Sequence, residues 1–503
     1  MKTSPVFDRD SLRELRKGRE SLRRIETFPY SEEVRSIMVS PVFTFHPDVK
    51  IKSVIREMAN RGISSVVIVN RKDEPVGIVT ERDILKRIAT TDCLDIDKVP
   101  VSMVMTSDPI QLEPGDSIYR AISVLNEHRI KHLPISEGGR LAGIVTFRQL
   151  LKLRHPEPMM LISSIETAPD FEELRTIKDK QPVVAASKLS MGISAYEIVT
   201  MLSLINQDIH RKVLELVIDL IGVPPLGFCL FLTGSHGRQE NLLTPDQDQG
   251  MIIEDSEQYY DDYQDYFIDL SKRFSEGLIT AGFSFCPGYI MSMNPIWRKQ
   301  LSEWEIQIKY WFETQISNLG RYSTVLYDAM PLYGNMDLFG RMKDFAFSVL
   351  NKHYEVLRVM HEEEGSHKIP IGFLGKFITE KGGPHKGELD VKRSGLIFVV
   401  EGIRILSLLH GIRETSTIKR INVLVDRGFL HKDDGEYFEA AYQLLLYHAL
   451  RSEVAKATGG EKIDTYINPE KLSAYDKEML RHAFKAVSAL QELVASEFGE
   501  LVL

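Results

Sequence analysis

The feature that most constrains this chain is an internal repeat. Residues 36–90 and 103–153 read as two copies of one unit. Met38 aligns with Met105, Pro47 with Pro114, Arg61 with His128, and the Gly-Ile-Val-Thr run at 77–80 with the same run at 143–146. The offset is 67 residues early and 66 late, a one-residue gap. Each copy reads as strand, helix, strand, strand, helix. In the first, residues 65–69 and 75–80 are β-branched runs, and a helix opens at Glu81. Repetition of this kind predicts that the copies bury each other's faces.

A second constraint sits in the middle of the chain. Residues 226–233 form an apolar run that reads as a buried strand entering a turn at Gly234 and Ser235. Asp246 and Asp248 follow, and residues 250–253 continue a second strand. Acids one residue apart on an extended segment point to the same face. Two such carboxylates suit Mg²⁺, a hard cation that prefers oxygen ligands. A Gly-Ser turn lets backbone N–H groups approach a phosphate. The combination implies transfer of a phosphoryl or nucleotidyl group. The competing reading is a glycine turn with a solvated acidic loop, but the spacing and both flanking strands argue against it.

Bulk properties exclude several classes. A chain of 503 residues predicts about three domains. Net charge of -9 and a pI near 5.9 disfavour nucleic-acid binding through bulk charge. The basic stretch at 9–24 is interrupted by Glu14 and Glu20, so it reads as a solvated helix face. Cys93, Cys229 and Cys286 form no zinc pattern and suggest no disulfide framework. There is no signal-peptide pattern and no apolar run of membrane-spanning length, so a cytoplasmic location without membrane partners is expected.

The two repeats resemble a tandem pair of cystathionine-beta-synthase (CBS) domains, a Bateman module. The resemblance rests on the closing motif: Gly77, Thr80 and Asp83 in copy one, Gly143 and Thr146 in copy two. It implies that the Thr and Asp side chains hold the ribose of AMP, ADP or ATP. Copy two carries Gln149 where the acid belongs, so one good site per pair is expected. Thr80 and Asp83 also match a helix capping box, which is compatible with ligand binding. The resemblance further implies a homodimer through the CBS modules.

The pattern Gly234-Ser235-x10-Asp246-x-Asp248 resembles the nucleotidyltransferase fold shared by DNA polymerase beta, the PII uridylyltransferase and the glutamine synthetase adenylyltransferase. With the stretch 286–297 and Trp304, it resembles one bacterial nucleotidyltransferase family in particular, found fused to CBS pairs and often to cyclic-nucleotide-binding domains. That N-terminal domain is expected to be absent, because only residues 1–35 precede the first repeat. The resemblance covers roughly residues 190–500. It implies that Asp246 and Asp248 bind Mg²⁺ together with a third carboxylate. Asp328, ending the β-rich segment 323–328, is the candidate, with Asp337 a weaker rival and a plain strand-end turn the alternative. Gly234, Ser235 and Arg238 are expected to contact the phosphates of ATP or another NTP, and Glu240 to brace the loop.

The expected fold class is α+β multidomain: a tandem CBS module, a mixed α/β nucleotidyltransferase domain and a C-terminal helical bundle. The boundaries are a helical segment at 1–35, CBS domains at 36–93 and 94–155, a transferase domain with leading helices at 156–344, and the bundle at 345–503. Residues 396–409 predict a central buried helix. Phe438, Tyr442, Leu445 and Ala449 share one helix face, and Leu480, Phe484, Val487 and Leu490 another. Lys392 and Arg393 precede the buried helix. They are either a solvated helix start or cations facing a triphosphate or an acidic protein. The expected reaction moves a nucleoside monophosphate to an acceptor, a protein rather than a nucleic acid, under control of the CBS ligand. The rival reading is a nucleotide sensor without turnover.

Overall fold

A computed structural model describes residues 33–89, 96–128, 130–146, 149, 157–313, 325–353, 356–358, 361, 369–372 and 375–500. The basic stretch 9–24, Cys93, residues 151–156 and Ser323 lie outside the described residues. The chain divides into two compact units, one spanning 28–167 and one containing 168–503. Among the described residues no helix is long and apolar enough to cross a membrane.

In the first unit the strands and the helix between them follow the repeat pattern in both copies, and the closing helix of copy two lies largely outside the described residues. Copy one runs β1 (Thr44–Phe45), α1 (Ile51–Arg61), β2 (Ser65–Val69), β3 (Pro75–Thr80) and α2 (Glu81–Ile84). Copy two contributes β4 (Thr106–Ser107), α3 (Ile118–Glu127), β5 (His132–Glu137) and β6 (Arg140–Thr146), followed by α4 (Glu157–Thr167). Strands β1 and β2 are parallel, while β2–β3 and β5–β6 are antiparallel.

The copies exchange their opening segments. Strand β4, from copy two, pairs with Gly77 and Ile78 of copy one. Val39, from copy one, pairs with Ile144 of copy two. Both signature glycines serve this exchange. A side-chain carbon at Gly77 would lie 2.3 Å from the Met105 sulfur, and one at Gly143 would lie 2.6 Å from the Met38 sulfur. The repeat's Met and Gly positions are therefore the two halves of a reciprocal contact, in which each methionine fills the space left by the other copy's glycine.

The second unit opens on α5 (Phe171–Lys178), α6 (Gln181–Ser190) and α7 (Ala195–Ile221). Helix α7 starts at a capping box in which Ser194 and Glu197 satisfy each other's backbone N–H. A four-stranded sheet follows in the order β10-β7-β8-β9: β7 (Phe228–Leu232), β8 (Gln249–Ile253), β9 (Arg298–Gln300) and β10 (Met330–Gly334). Every residue of β7 and β8 is buried, which accounts for the apolar runs at 228–232 and 250–253. Between them comes the short helix α8 (Gly234–Arg238), and α9 (Gln264–Thr280), α10 (Leu301–Glu313) and α11 (Met336–Leu350) complete the layer. Trp297, Trp304 and Trp311 cluster in its core, and Trp304 Nε1 donates to the Met251 carbonyl at 3.0 Å. The two tryptophans of the sequence signature thus anchor the strand that follows the acids.

The chain then forms a small ribbon, β11 (Leu389–Asp390) with β12 (Tyr466–Ile467), and the helices α12 (Ile397–Leu409), α13 (Thr417–Asp426), α14 (Lys432–Gly459) and α15 (Ala474–Glu500). Phe438, Tyr442, Leu445 and Ala449 are buried on α14, and Leu480, Phe484, Val487 and Leu490 on α15. The expected helical stripes are the packing faces of this bundle.

Candidate active site

The loop between β7 and β8 brings the acids to the sheet end. Gly234 has φ +59°, a left-handed conformation that costs an L side chain about 1–2 kcal/mol. A side-chain carbon there would also lie 2.7 Å from Asp248 Oδ2. The glycine is needed twice, for its backbone and for the space it leaves. Thr233 N donates to the Asp248 carbonyl at 3.0 Å, holding the two ends of the loop together.

Asp246 and Asp248 lie on the extended segment entering β8. Asp246 pairs with Ser284, and Gln247 N donates to the Ser284 carbonyl at 3.0 Å. Between the acids, Gln247 turns inward, fully buried, and its Nε2 donates to the Ser275 carbonyl. Both acids are partly exposed on the opposite face, as the two-residue period requires. From below, His236 Nε2 donates to the Asp246 carbonyl at 2.9 Å. The Cys286 thiol bonds the Asp248 carboxylate. Burial raises the pKa of both acids; at Asp248 the Asp246 charge adds to it, against the Cys286 bond and the charges of Arg238 and Lys392. Burial and the Asp248 charge push the Cys286 thiol up to about 12, so it acts as a donor, not a nucleophile.

Two sequence-based assignments are corrected. Asp328 does not join the acid pair. It is fully buried, and three guanidinium groups fill its oxygens: Arg238 Nη1 at 2.6 Å, Arg404 Nη2 at 2.7 Å and Arg420 Nη1 at 2.8 Å. Burial opposes its ionisation, yet Arg404, Arg420 and Arg238 outweigh burial and hold the carboxyl well below the usual range. It lies past a helical turn at 325–327, not at a strand end, and β10 begins two residues later. Arg238 is not free for a phosphate either. Its Nε donates to Glu240 at 2.8 Å and its Nη1 to Asp328. Glu240 braces the loop, accepting from Thr417 N and Oγ1 at the head of α13. Buried Lys343 donates to the carbonyls of Leu326, Tyr327 and Ala329, which fixes the Asp328 turn. Asp337, the weaker rival, opens α11 under the side-chain cap of Asn335.

Residues from the C-terminal helices also reach the acid loop. Glu453 of α14 is buried and accepts from Leu243 N at 2.6 Å and Thr244 Oγ1 at 3.3 Å. No local pattern marks Glu453 or Arg420; each is defined by a partner far away in sequence. Cys286 is the exception, since it opens the stretch that carried the family resemblance.

The donor set fits a hard cation. The acids are carboxylates at a partly exposed edge, and burial is what raises the pKa of both. Among the described residues no group of three His, Cys, Asp or Glu could hold a metal. A two-carboxylate site completed by phosphate oxygens and water is a usual arrangement for Mg²⁺.

In the CBS unit, Thr80 Oγ1 donates to Asp83 Oδ2 at 2.6 Å, and Asp83 N donates back to Thr80 Oγ1 at 3.3 Å. Copy two reproduces the cap with an amide: Thr146 N and Oγ1 donate to Gln149 Oε1 at 2.7 and 3.1 Å. Capping geometry is shared, while the carboxylate charge is present only in copy one.

A sheet presenting the acid pair against a glycine turn thus stands in a chain that also holds a tandem CBS unit. Family profiles agree: CBS domain at 34–90 and 101–155, "Putative nucleotidyltransferase DUF294" at 179–317, and "Putative nucleotidyltransferase substrate binding domain" at 355–498. The chain joins a CBS pair to a DUF294 nucleotidyltransferase domain and its C-terminal domain. It is 32% identical over 144 residues to the uncharacterized protein MK0525 of Methanopyrus kandleri, covering 28% of this chain and 71% of that one. It is 29% identical over 120 residues to the A-adding tRNA nucleotidyltransferase of Aquifex aeolicus, covering 24% of this chain and 14% of that enzyme. Among solved structures it is 24% identical to the CBS domain pair of protein MJ0100 in complex with 5′-methylthioadenosine and S-adenosyl-L-methionine, covering 24% of this chain and 94% of that one at a TM-score of 0.22.

Proposed function

We propose that the protein transfers a nucleoside monophosphate from ATP or another NTP to a protein acceptor, under control of an adenine nucleotide bound at the CBS pair. The observation that carries this reading is the fit between Gly234 and Asp248, which seats one carboxylate of the acid pair directly against the glycine turn. Asp246 and Asp248 would hold Mg²⁺, which when bound neutralises phosphate charge and aligns the triphosphate. Gly234 and Ser235 would contact its phosphates. Ser235 is itself oriented by Asn241 Nδ2 at 2.9 Å. An acceptor oxygen bonds the α-phosphorus, the bond from that phosphorus to the bridging oxygen breaks, pyrophosphate leaves, and the acceptor proton passes to solvent. Thr80 and Asp83 would bind the regulatory nucleotide, with Thr146 and Gln149 a weaker second site. CBS-mediated homodimerisation and a cytoplasmic setting belong to the same proposal. An acidic chain favours a protein over a nucleic-acid acceptor.

The test is pyrophosphate release and acceptor labelling with each ribonucleoside triphosphate, Mg²⁺ and host-cell lysate, with and without AMP. The Asp246→Asn/Asp248→Asn protein is the control. Label on a discrete protein that is lost in the control supports the reading. One observation favours a second reading, nucleotide sensing without turnover: the expected third carboxylate is locked among arginines. No label and no pyrophosphate, with AMP still bound, would select it.

A further inference from the structure

We propose that Phe285 and Tyr289 form a platform beside Asp248 on which the base of the nucleoside triphosphate stacks. This deepens the transferase reading and rests on it.

Backbone hydrogen bonds put the two aromatics next to the acids. Gln247 N donates to the Ser284 carbonyl and Gln249 N to the Ile290 carbonyl, both at 3.0 Å. Asp248 alone separates the two donors, while residues 285–289 separate the two acceptors. The longer segment therefore arches out alongside Asp248. The Asp248–Gln249 peptide fixes the side on which the arch lies. Its carbonyl accepts from Thr233 N at 3.0 Å, and its N–H is the one that donates to Ile290. In a trans peptide these two groups point in opposite directions. The Gly234 turn and the arch thus stand on opposite sides of Asp248. A nucleotide with its phosphates at the Gly234 turn extends its nucleoside toward the arch.

The arch carries apolar surface that folding does not use. Phe285 is 44% exposed and Tyr289 66%. Neither ring meets another ring among the described residues. Tyr289 also has φ +55°, a strained conformation for a bulky side chain. No other aromatic among the described residues has a positive φ, and the adjacent Gly288, which could adopt one freely, does not. Hydrogen bonds hold the tyrosine there: its N donates to the Cys286 carbonyl at 2.9 Å, and Asn294 Nδ2 donates to its carbonyl at 3.0 Å. A solvent-facing ring on a strained, fastened backbone adds little to the fold, so its role lies in a contact outside it.

Composition selects the occupant. Residues 284–290 include no charged side chain, so a phosphate or a charged protein segment finds no ionic partner on the arch. A base needs none, because every base offers a flat face to an aromatic ring.

The experiment is calorimetric titration of the full chain, its CBS pair filled with AMP. The probes are the four Mg²⁺–ribonucleoside triphosphates and Mg²⁺–tripolyphosphate, which has no base. Tyr289→Gly should weaken the tightest-binding nucleotide about tenfold and leave tripolyphosphate unchanged. Phe285→Ala should act in the same way, and Tyr289→Phe should keep the original affinity. The thermal midpoint of Tyr289→Gly should equal or exceed that of the unaltered protein, since glycine takes this φ without strain. Full nucleotide affinity in Tyr289→Gly, or an equal loss with tripolyphosphate, overturns the platform and leaves the transferase reading standing. No binding of any probe by the unaltered protein overturns both.

Discussion

Gly234 and Asp248 are fitted to each other: the space a side chain would take on the glycine is occupied by the carboxylate oxygen, 2.7 Å away. Substituting either residue therefore tests the same site from opposite sides. Asp248→Asn should lower pyrophosphate release by about 10²–10³-fold or more while AMP binding is retained. Gly234→Ala should lower it with only a small loss of stability, about 1–2 kcal/mol from the strained backbone. Steady-state assays beside denaturant titration separate the two effects.

Asp328→Asn should behave as a folding variant. Removing one member of a buried ionic cluster leaves the others uncompensated, at a cost of about 3–5 kcal/mol. Arg238, Arg404 and Arg420 would face a neutral amide. Urea unfolding measures the loss. A variant of full stability but no activity would return Asp328 to the chemistry.

Acid should destabilise the protein through its buried histidines as pH falls below 6.5. Burial pushes His210 and His448 down to about 4, and His236 well below 6.5. Between pH 6.5 and 4 the unfolded chain takes up protons on these rings and the folded chain does not. Their contribution is fully present above pH 6.5 and is lost as pH falls through about 4, at up to about 1.4 kcal/mol per pH unit for each ring. His210→Phe, packed against Phe274 and Phe283, should flatten the slope by one ring's share. Unfolding free energy measured from pH 7 to 4 checks this, and an unchanged slope would clear His210 of the effect.

The CBS unit should bind one adenine nucleotide with useful affinity. Asp83→Asn should weaken AMP about tenfold, since a charged acceptor becomes neutral. Gln149→Asp should raise the stoichiometry from one toward two. Isothermal titration reads both outcomes.

Local pattern made much of this molecule legible. The strand before Gly234, the strand after Asp248 and the alternation of Asp246, Gln247 and Asp248 are all short-range signals, and the structure keeps them. The repeat gave the CBS topology for the same reason. Asp328 was misread because its partners are Arg238, Arg404 and Arg420, which lie 90, 76 and 92 residues away. An acid after an apolar run has one appearance in sequence whether it meets a metal or three guanidinium groups. Glu453 was invisible for a related reason: it sits on α14, 210 residues from Leu243, and only tertiary packing joins them.

The mutual seating of Met38 on Gly143 and Met105 on Gly77 has a consequence for how this module changes over time. A gene encoding one repeat alone would yield a domain with a hole at its glycine and a stranded methionine. Such a domain is completed only by a second copy of itself. Duplication followed by fusion would turn that pairing between molecules into one within a single chain. After fusion, each methionine and the glycine it covers must drift together, although Met38 lies 105 residues from Gly143 and Met105 lies 28 from Gly77.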